Sequence, residues 1–389
     1  MPWREISPMD ERQRFLKAFR SRTFKFSELC AFYGVSRKTG YKWLNRFWVE
    51  GPAGLQDRRR TPHSCPHHTP RDVEVAILHT RQKHPDWGAV TILQYLERER
   101  PNLPLPAIST ASEILKRNGL PRRRRRRNPG HPGLGTTFPS RPNAVWTADF
   151  KGQFKTLNGH YCFPLTILDG FSRFCLACQG LTSTEHELAQ PAFERVFCEF
   201  GLPEAIRTDN GAPFATQAIR RLSRLHVWWI KLGITPELIL PARPDQNGRH
   251  ERFHLTLKRR TALPPRSSLA SQQLAFDDFI ADYNTVRPHQ ALDGKTPGSI
   301  YTPSLRPFPH RLPPILYPRH YETRLVGRDG HIHWGCGHVM VTHVLEGEYV
   351  GLEEVDNEIW SLYFGPLLLG RFHERELNLH GTYAYNKPA

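Results

Sequence analysis

Apolar residues recur at helical spacing in the first part of this 389-residue chain. Over residues 26–33 they follow the period of an α-helix, and Gly34 ends the pattern. Ser36 is a good N-cap for a second helix that runs to about Val49. Two short helices joined by a glycine turn predict a helix-turn-helix domain over residues 1–70.

A second helical segment is predicted over residues 71–120. Its first two helices are expected over residues 72–83 and 90–99. Thr110 and Glu113 have the spacing of a capping box, which would open a third helix that ends at Gly119. The segment is followed by a linker rich in Arg, Pro and Gly, residues 121–142, which is expected to be largely extended.

The largest segment, residues 143–301, alternates strands with helices after an antiparallel start. The predicted strands are Ala144–Phe150, Cys162–Asp169, Ser172–Gln179, Ala205–Thr208 and Glu237–Leu240, with a helix over residues 184–200 after the third strand. This order predicts an α/β sheet sandwiched between helices.

A Pro-rich connector, residues 302–318, leads into a last segment, residues 319–389, whose apolar residues alternate with period two. The six alternating runs are His320–Val326, His331–Trp334, His338–Thr342, Tyr349–Val355, Ile359–Phe364 and Leu367–Phe372. Short strands at this density predict a small all-β barrel, for which we expect a packing or end-binding role. The fold class is therefore multidomain: all-α modules, a central α/β core and a small β-barrel.

Charge narrows the class of partner. Fifty-four Lys and Arg against 37 Asp and Glu give a net charge of +17, which implies nucleic acid or an acidic membrane surface. No apolar run is long enough to cross a bilayer, and the longest basic run precedes a Pro/Gly stretch that cannot form an amphipathic helix. Nucleic acid is favoured. Seven scattered cysteines and the absence of a secretory pattern suit a cytoplasmic protein with reduced thiols.

Two groups of residues are candidates for DNA contact. The second helix of the helix-turn-helix has an aromatic face on one side and a basic, hydrogen-bonding face on the other. The basic face suits the major groove of DNA; the alternative is an ordinary amphipathic helix whose lysines are solvated. The candidates on that face are Arg37, Lys38, Tyr41, Lys42 and Asn45. The basic run is either a solvated tail or, as we favour, a phosphate clamp, and it consists of Arg122, Arg123, Arg124, Arg125, Arg126 and Arg127.

Three acidic residues stand where an α/β fold can bring them together. Asp149 lies near the end of the first strand, and Asp209 follows the fourth strand before Asn-Gly, where open sheets keep their sites. Glu251 lies one turn inside a later helix, and Lys258 points the same way to reach a phosphate. Taken singly, each acid is most often a cap, a turn residue or a surface charge.

Together, three carboxylates on a basic protein predict a site of hard oxygen ligands for two Mg²⁺ or Mn²⁺ ions. Two such ions can clamp the attacking and leaving oxygens of an in-line phosphodiester displacement. Because clustered carboxylates repel one another without metal, the activity is expected to depend on metal.

Four stretches of the sequence resemble the integrase-type catalytic core of bacterial insertion-sequence transposases. They are Trp146-Thr-Ala-Asp149-Phe-Lys-Gly, Arg207-Thr-Asp209-Asn-Gly, Pro244-Asp-Gln-Asn-Gly-Arg-His-Glu251-Arg-Phe-His and Tyr283-Asn-Thr-Val-Arg287-Pro-His289-Gln-Ala-Leu. The resemblance spans residues 143 to about 301, and the helix-turn-helix ahead of it fits the same family.

The resemblance implies a ribonuclease-H-like fold and a metal-binding triad of Asp149, Asp209 and Glu251. It also implies cleavage at the terminal inverted repeats of the element, which frees 3′-hydroxyls that attack target DNA directly. Joining two ends of double-stranded DNA in concert implies a homo-oligomer, at least a dimer. The interval of 42 positions between Asp209 and Glu251 is longer than is usual in retroviral integrases, which weakens a specifically retroviral interpretation.

Two other interpretations of the whole chain stay open. One is a transposase relic or regulator that binds DNA without catalysis, although binding alone does not need three acids in this placement. The other is a ribonuclease-H-type nuclease that cuts without joining. The helix-turn-helix and the arginine run favour specific duplex ends over RNA–DNA hybrids.

Some residues that often bind metal or transfer protons are expected to do neither here. The clusters His63, Cys65, His67, His68 and His331, His333, Cys336, His338 lack the paired ligand spacing of zinc modules. Arg287 and His289 are expected to hold the last helix and loop of the core together rather than to transfer protons.

Overall fold

The computed structural model describes residues 8–58, 68–120, 137–239 and 248–380. The chain divides into two compact units, Met1–His68 and Thr69–Ala389. The predicted arginine clamp at residues 122–127 lies outside the described residues. Among the described residues, no helix has the length and apolar character needed to cross a membrane.

The first unit is a set of short helices. These are α1 (Pro8–Arg20), α2 (Phe26–Phe32) and α3 (Arg37–Glu50), followed by a 3₁₀ turn over Gly51–Leu55. Gly34, between α2 and α3, has φ +63°, a left-handed conformation that glycine adopts without steric cost. The predicted N-cap is confirmed, because the hydroxyl of Ser36 accepts a hydrogen bond from the N–H of Thr39.

Gly40 sets how closely α3 packs in this unit. A Cβ atom at this position would lie 2.9 Å from both the Cys30 sulfur and the Phe26 ring, so only glycine allows the observed approach. Leu44, one turn later on the same face, is buried with Leu29. The aromatic and apolar face that the sequence predicts therefore faces the core, which also includes α1, a helix that the sequence pattern did not indicate.

The second helical segment belongs to the second unit. It consists of α4 (Arg71–Lys83), α5 (Ala89–Glu99) and α6 (Ile108–Arg117). The predicted capping box at Thr110 and Glu113 is wrong: α6 begins at Ile108, Ala107 occupies the N-cap, and no side chain caps the helix. Thr110 therefore lies inside the first turn, because the helix begins earlier than the polar residues suggest.

An ion pair joins this segment to the α/β core. The guanidinium of Arg287 donates to Asp86, and the side chains are only 18% and 9% exposed. Arg98 of α5 also donates to the carbonyl of Val286 at 3.1 Å. The sequence predicted a structural role for Arg287, but its partner lies in the preceding helical segment rather than in the last loop of the core.

The central core is a mixed sheet. Its strands are β1 (Val145–Phe150), β2 (Phe154–Lys155), β3 (Tyr161–Asp169), β4 (Cys175–Leu181), β5 (Ala205–Thr208) and β6 (Thr235–Leu238). Strand β3 pairs antiparallel with β1, β2 and β4, whereas β1 pairs parallel with β5, which pairs parallel with β6. The predicted antiparallel start and the later parallel strands are both present.

Helices cover both faces of this sheet. They are α7 (His186–Phe200), α8 (Arg224–Lys231), α9 (Gly248–Thr261) and α10 (Leu269–Ala281). Alternate residues of β1 face opposite sides: Trp146 and Ala148 pack in the cluster that contains α7 and α8, while Phe253 of α9 packs in a second cluster with α10. The face of β1 that carries Thr147 and Asp149 is therefore turned toward α9.

The connector to the last segment is held on the core. The guanidinium of Arg306 donates to the carbonyls of Pro203, Leu232 and Gly233 at 2.7, 3.0 and 2.9 Å. Phe308 packs against the α7 side of the core. The connector, which the sequence analysis identified only as Pro-rich, is therefore held to the core by hydrogen bonds and apolar packing.

The last segment is all-β, as predicted. Its strands are β7 (Glu322–Leu325), β8 (His331–Trp334), β9 (Gly337–Met340), β10 (Tyr349–Asp356), β11 (Ile359–Phe364) and β12 (Leu367–His373). They form a four-stranded antiparallel sheet, β12-β11-β10-β7, and the hairpin β8-β9, around one shared core. Within the described residues, β8 and β9 pair only with each other, so these pairings do not close a barrel.

The ion pair between Arg287 and Asp86 gives a test of how the helical segment is fixed. Arg287→Met leaves a largely buried carboxylate without its cation, so we expect unfolding to become easier by about 3 kcal/mol. Urea unfolding of Asp86→Leu/Arg287→Met should recover most of that loss, since an apolar pair replaces the ionic one. Arg117→Met, which removes an exposed pair with Glu74, is the control and should cost less than about 1 kcal/mol. Unchanged stability in Arg287→Met would contradict the proposed attachment.

Candidate active site

The register of the parallel strands brings two acids together. Ala148 of β1 pairs with Thr208 of β5, and both strands run in the same direction. Asp149 and Asp209 each follow these paired residues, so they lie at the same edge of the sheet, on neighbouring strands. This is the edge at which open α/β sheets carry their sites.

Asp209 is fixed by the turn that follows it. Its Oδ1 atom accepts a hydrogen bond from the N–H of Gly211 at 3.2 Å, and the amide of Asn210 donates to the carbonyl of Ile239 at 2.9 Å. A Cβ atom at Gly211 would lie 3.0 Å from the Asp209 carboxylate. The Asp-Asn-Gly sequence is thus a turn, and the same turn orients the carboxylate.

Glu251 reaches this edge from α9. It is exposed, in the first described turn of the helix, and its charge raises the pKa of Asp149. The same helix packs on the sheet through His250, whose Nδ1 atom lies 2.9 Å from the hydroxyl of Thr147. Asp209 and Glu251 are therefore near enough to Asp149 for a charge effect, but among the described residues the three carboxylates do not gather within 4.8 Å of one another.

Burial raises the pKa of two of these carboxylates, Asp149 and Asp209, and repulsion adds to the shift at Asp149. Burial raises the pKa of Asp149 to about 7, with Asp209 and Glu251 as further contributors. Burial also raises the pKa of Asp209, opposed by the N–H of Gly211. Because ionising two partly buried acids near each other is costly, the edge favours a bound cation or a proton.

Two lysines lie on the same side of the site. Burial lowers the pKa of Lys151, the second residue after Asp149, and the nearby ammonium of Lys258 lowers it further. Lys258 itself is exposed on α9, as the sequence predicted. The acids are thus flanked by cations that can contact a phosphate backbone.

A buried network that the sequence reasoning missed lies directly behind Asp149. The hydroxyl of Thr166 donates to the backbone carbonyl of Asp149 at 2.9 Å. The same oxygen lies 2.6 Å from Nε2 of His250 and 2.7 Å from Nε2 of His254. Burial holds the pKa of both imidazoles well below the usual range, that of His254 at about 3, so both rings are neutral. The available signal was their helical spacing around Glu251, one residue before it and three after.

Another buried acid of the sheet, Asp169, is structural. It is 1% exposed, and its carboxylate accepts hydrogen bonds from the N–H of Asn143 at 2.8 Å and from the N–H and hydroxyl of Ser172 at 2.7 Å each. It pairs with Trp146, away from the end of β1 that carries Asp149. These three donors satisfy its carboxylate, which fits a structural role.

The predicted DNA-contacting face of α3 points into solvent. All five candidates, Arg37, Lys38, Tyr41, Lys42 and Asn45, are exposed. The ring of Tyr41 also packs on Phe26, with centroids 4.2 Å apart, so it supports the unit while remaining accessible.

No described residues outside the candidate active site gather as metal ligands. Among the described residues, the group of three potential ligands within 4.8 Å of one another is Asp149, His250 and His254. The histidine-rich hairpin places His333 opposite His338 on neighbouring strands, but it does not assemble a third ligand at that distance. The other predicted cluster, from His63, lies largely outside the described residues.

Family models match both parts of this architecture. Two models described as integrase core domains match residues 139–244 and 232–297. A helix-turn-helix domain model matches residues 11–63, and a homeodomain-like domain model matches residues 39–115.

Curated relatives include proteins of mobile elements and viruses. An uncharacterized 31.7 kDa protein of insertion element IS407 from Burkholderia multivorans is 29% identical over 48% of this chain and 66% of its own length. A protein of insertion element IS476 from Xanthomonas euvesicatoria is 29% identical over 43% of this chain and 46% of its own length. The Gag-Pol polyprotein of baboon endogenous virus is 34% identical over 31% of this chain and 6% of its own length. The chain spans less than two thirds of the length of these relatives.

Among solved structures, the magnesium complex of the HTLV-2 integrase catalytic core is 19% identical to this chain. The match covers 42% of this chain and 99% of that one, with a TM-score of 0.34.

The mixed sheet with helices on both faces and acids at its edge defines a ribonuclease-H-like core. The chain carries an integrase core domain together with helix-turn-helix domains. The predicted resemblance to insertion-sequence transposases with an integrase-type core is confirmed by the family models and by the insertion-element relatives.

The raised pKa of Asp149 predicts how stability depends on pH without metal. The carboxyl has a pKa of about 7 in the fold against 3.8 ordinarily, so its ionisation destabilises the protein as pH rises from about 4 to about 7. Asp149→Asn should therefore be more stable than wild type in EDTA, by an amount that grows over this range and then levels off.

Urea unfolding at several pH values measures this difference. Asp278→Asn, at an exposed position on α10, is the control and should show no such trend. A constant difference between Asp149→Asn and wild type would mean that Asp149 ionises normally in the folded protein.

Proposed function

We propose that this protein is a DNA transposase. It binds the terminal inverted repeats of its element, hydrolyses a phosphodiester bond to free 3′-hydroxyl ends, and transfers those ends to target DNA. The observation that supports the proposal is that Asp149 and Asp209 follow paired residues of neighbouring parallel strands, with Glu251 near enough that its charge and that of Asp209 add to the effect of burial on the pKa of Asp149. A phosphodiester is the substrate expected for such a site in a protein of net charge +17.

The acids fit the divalent metal that this chemistry requires. Carboxylate oxygens are the ligands that Mg²⁺ and Mn²⁺ prefer, and a cation would offset the burial and repulsion that raise the pKa of Asp149. Asp149, Asp209 and Glu251 would hold two such ions, which when bound activate the attacking oxygen and stabilise the leaving one.

The remaining residues bind and orient DNA. Lys151 and Lys258 flank the acids and contact the phosphates beside the reacting bond. The turn at Gly211 keeps the Asp209 carboxylate aimed at the site. The exposed face of α3 reads the major groove of the terminal repeat, and the arginines at 122–127 hold its backbone.

The protein acts as a homo-oligomer on double-stranded DNA at the bacterial nucleoid. Two element ends must be joined to the target in concert, and each end needs an active site, so at least a dimer is required. The second helical segment, fixed to the core by Arg287 and Asp86, moves with the active site rather than independently of it.

Two rival functions give different outcomes in one experiment. A silent DNA-binding relic would bind the element ends without cutting them. A ribonuclease-H-type nuclease would cut without producing joined strands. The charge-perturbed acid cluster favours catalysis over the first rival, and the exposed basic face of α3 favours duplex ends over the substrate of the second.

The decisive experiment incubates purified protein with labelled element ends and target DNA in Mg²⁺, Mn²⁺ or EDTA. We expect nicked and joined products only with metal. Asp209→Asn should lower the rate at least about 1000-fold, since metal stabilisation of the transition state is worth several kcal/mol. Asp278→Asn, exposed on α10, should cut and join at the rate of wild type. Binding without cleavage in any metal would contradict the transposase function and support a silent DNA-binding relic. Cleavage without joining would instead support a ribonuclease-H-type nuclease.

The face of α3 predicts two separable effects on DNA binding. Lys42→Ala should weaken binding to all sequences and reduce the slope of log affinity against log salt by about 1. Asn45→Ala should instead narrow the difference between the terminal repeat and a scrambled duplex, by about 1–3 kcal/mol. Fluorescence anisotropy at several salt concentrations measures both.

Lys17→Ala is the matched control, because Lys17 is an exposed lysine on α1 rather than on α3. If Lys17→Ala lowered the salt slope as much as Lys42→Ala, the face of α3 would not be the DNA-contacting surface.

A further inference from the structure

His254 stands beside the acids but is not one of them. It follows Glu251 by three positions on α9, and this spacing puts both side chains on one face of a helix. Its side chain is 9% exposed, and its Nδ1 atom lies 3.9 Å from Oδ2 of Asp149. Two-metal carboxylate sites in helix bundles use a Glu and a His at this same spacing.

The hydrogen bonds behind the site fix where the proton of His254 is. A backbone carbonyl can only accept, so Thr166 uses its single hydroxyl proton on the carbonyl of Asp149. Its oxygen must then accept from Nε2 of His254, 2.7 Å away. In the neutral ring, Nδ1 is therefore the atom without a proton.

An unprotonated nitrogen thus faces a carboxylate oxygen. At 3.9 Å the two atoms are too far apart for a hydrogen bond, and neither has a proton to share when Asp149 is ionised. Within the described residues, Nδ1 of His254 has no hydrogen-bond donor. Two ligands of one ion, each about 2.1 Å from it, can be separated by up to about 4.2 Å, so both atoms can bind the same cation.

His250 differs from His254 in this respect. Both of its nitrogens are engaged, Nδ1 with the hydroxyl of Thr147 at 2.9 Å and Nε2 with Thr166 at 2.6 Å. It is fully buried, and it holds α9 against β1 and β3. His250 is therefore a positioning residue, and the free lone pair belongs to His254.

We propose that Nδ1 of His254 is a nitrogen ligand at the metal site formed by Asp149, Asp209 and Glu251. The inference rests on the proposed function, because it adds a ligand to the same site. Mg²⁺ prefers oxygen, whereas Mn²⁺ begins the first-row transition series, along which affinity for nitrogen ligands rises, and it can bind nitrogen as well as oxygen. The site should therefore bind Mn²⁺ more tightly than a site of carboxylates alone.

Two substitutions separate the metal-facing nitrogen from the structural one. In His254→Gln, the side-chain amide can reach the position of Nε2 and keep the hydrogen bond to Thr166, while nothing replaces Nδ1. In His254→Asn, the shorter amide can put an oxygen near the position of Nδ1 but cannot reach Thr166. If His254 is a metal ligand, His254→Gln should lose more metal affinity than His254→Asn. If its role is structural, His254→Asn should be the more harmful substitution.

The test uses the full chain with Mn²⁺ alone, read by pulsed electron paramagnetic resonance for ¹⁴N coupling and by calorimetry for affinity. We expect nitrogen coupling in wild type and its loss in His254→Gln, with Mn²⁺ binding at least about tenfold weaker and an unchanged melting temperature. His254→Asn should melt lower but lose less Mn²⁺ affinity than His254→Gln.

Nitrogen coupling that persists in His254→Gln, or its absence from Mn²⁺-bound wild type, would overturn the proposal. Either result would leave the transposase function intact, because Mn²⁺ would still be bound. Wild type that binds no Mn²⁺ and cuts DNA in no metal would instead contradict the proposed function itself.

Discussion

The burial of two carboxylates at one sheet edge, made more costly by repulsion at Asp149, is the constraint on which the rest of this structure depends. Asp149 and Asp209 follow paired residues on neighbouring parallel strands, and Glu251 approaches from α9. Burial and these neighbours raise the pKa of Asp149 to about 7, which is a cost to the metal-free fold. A protein that only needed to bind DNA would gain nothing from such an arrangement, so the cost is itself an argument for metal-dependent chemistry.

The surrounding fold holds Asp149 in place despite this cost. Thr166, paired with Asp149 across β1 and β3, receives hydrogen bonds from His250 and His254 and gives one to the Asp149 backbone. These bonds fasten α9 to the sheet and engage the backbone of Asp149 rather than its carboxylate. The α/β core is also joined to the preceding helices through Arg287 and Asp86, and to the connector through Arg306. The elements that carry the site are therefore fixed by contacts on several sides.

Local sequence patterns predicted the features that depend on residues close together in the chain. The six strands of the last segment follow from alternating residues, the start of α3 from Ser36, and the acid pair from strand ends before polar turns. Contacts between distant parts of the chain could not be foreseen: Arg287 and Asp86 are 201 positions apart, and Thr166 and His254 are 88 apart. The predicted capping box at Thr110 is wrong because α6 begins at Ile108, before the residues that fit the motif.

The most direct test of this account is Mn²⁺ binding to the three single variants Asp149→Asn, Asp209→Asn and Glu251→Gln, by calorimetry on the full chain. If the three carboxylates form one site, each substitution weakens the same binding event at least about tenfold, and the folded protein is retained. If one of the three variants binds Mn²⁺ with the affinity and stoichiometry of wild type, that acid does not belong to the site, and the triad is contradicted.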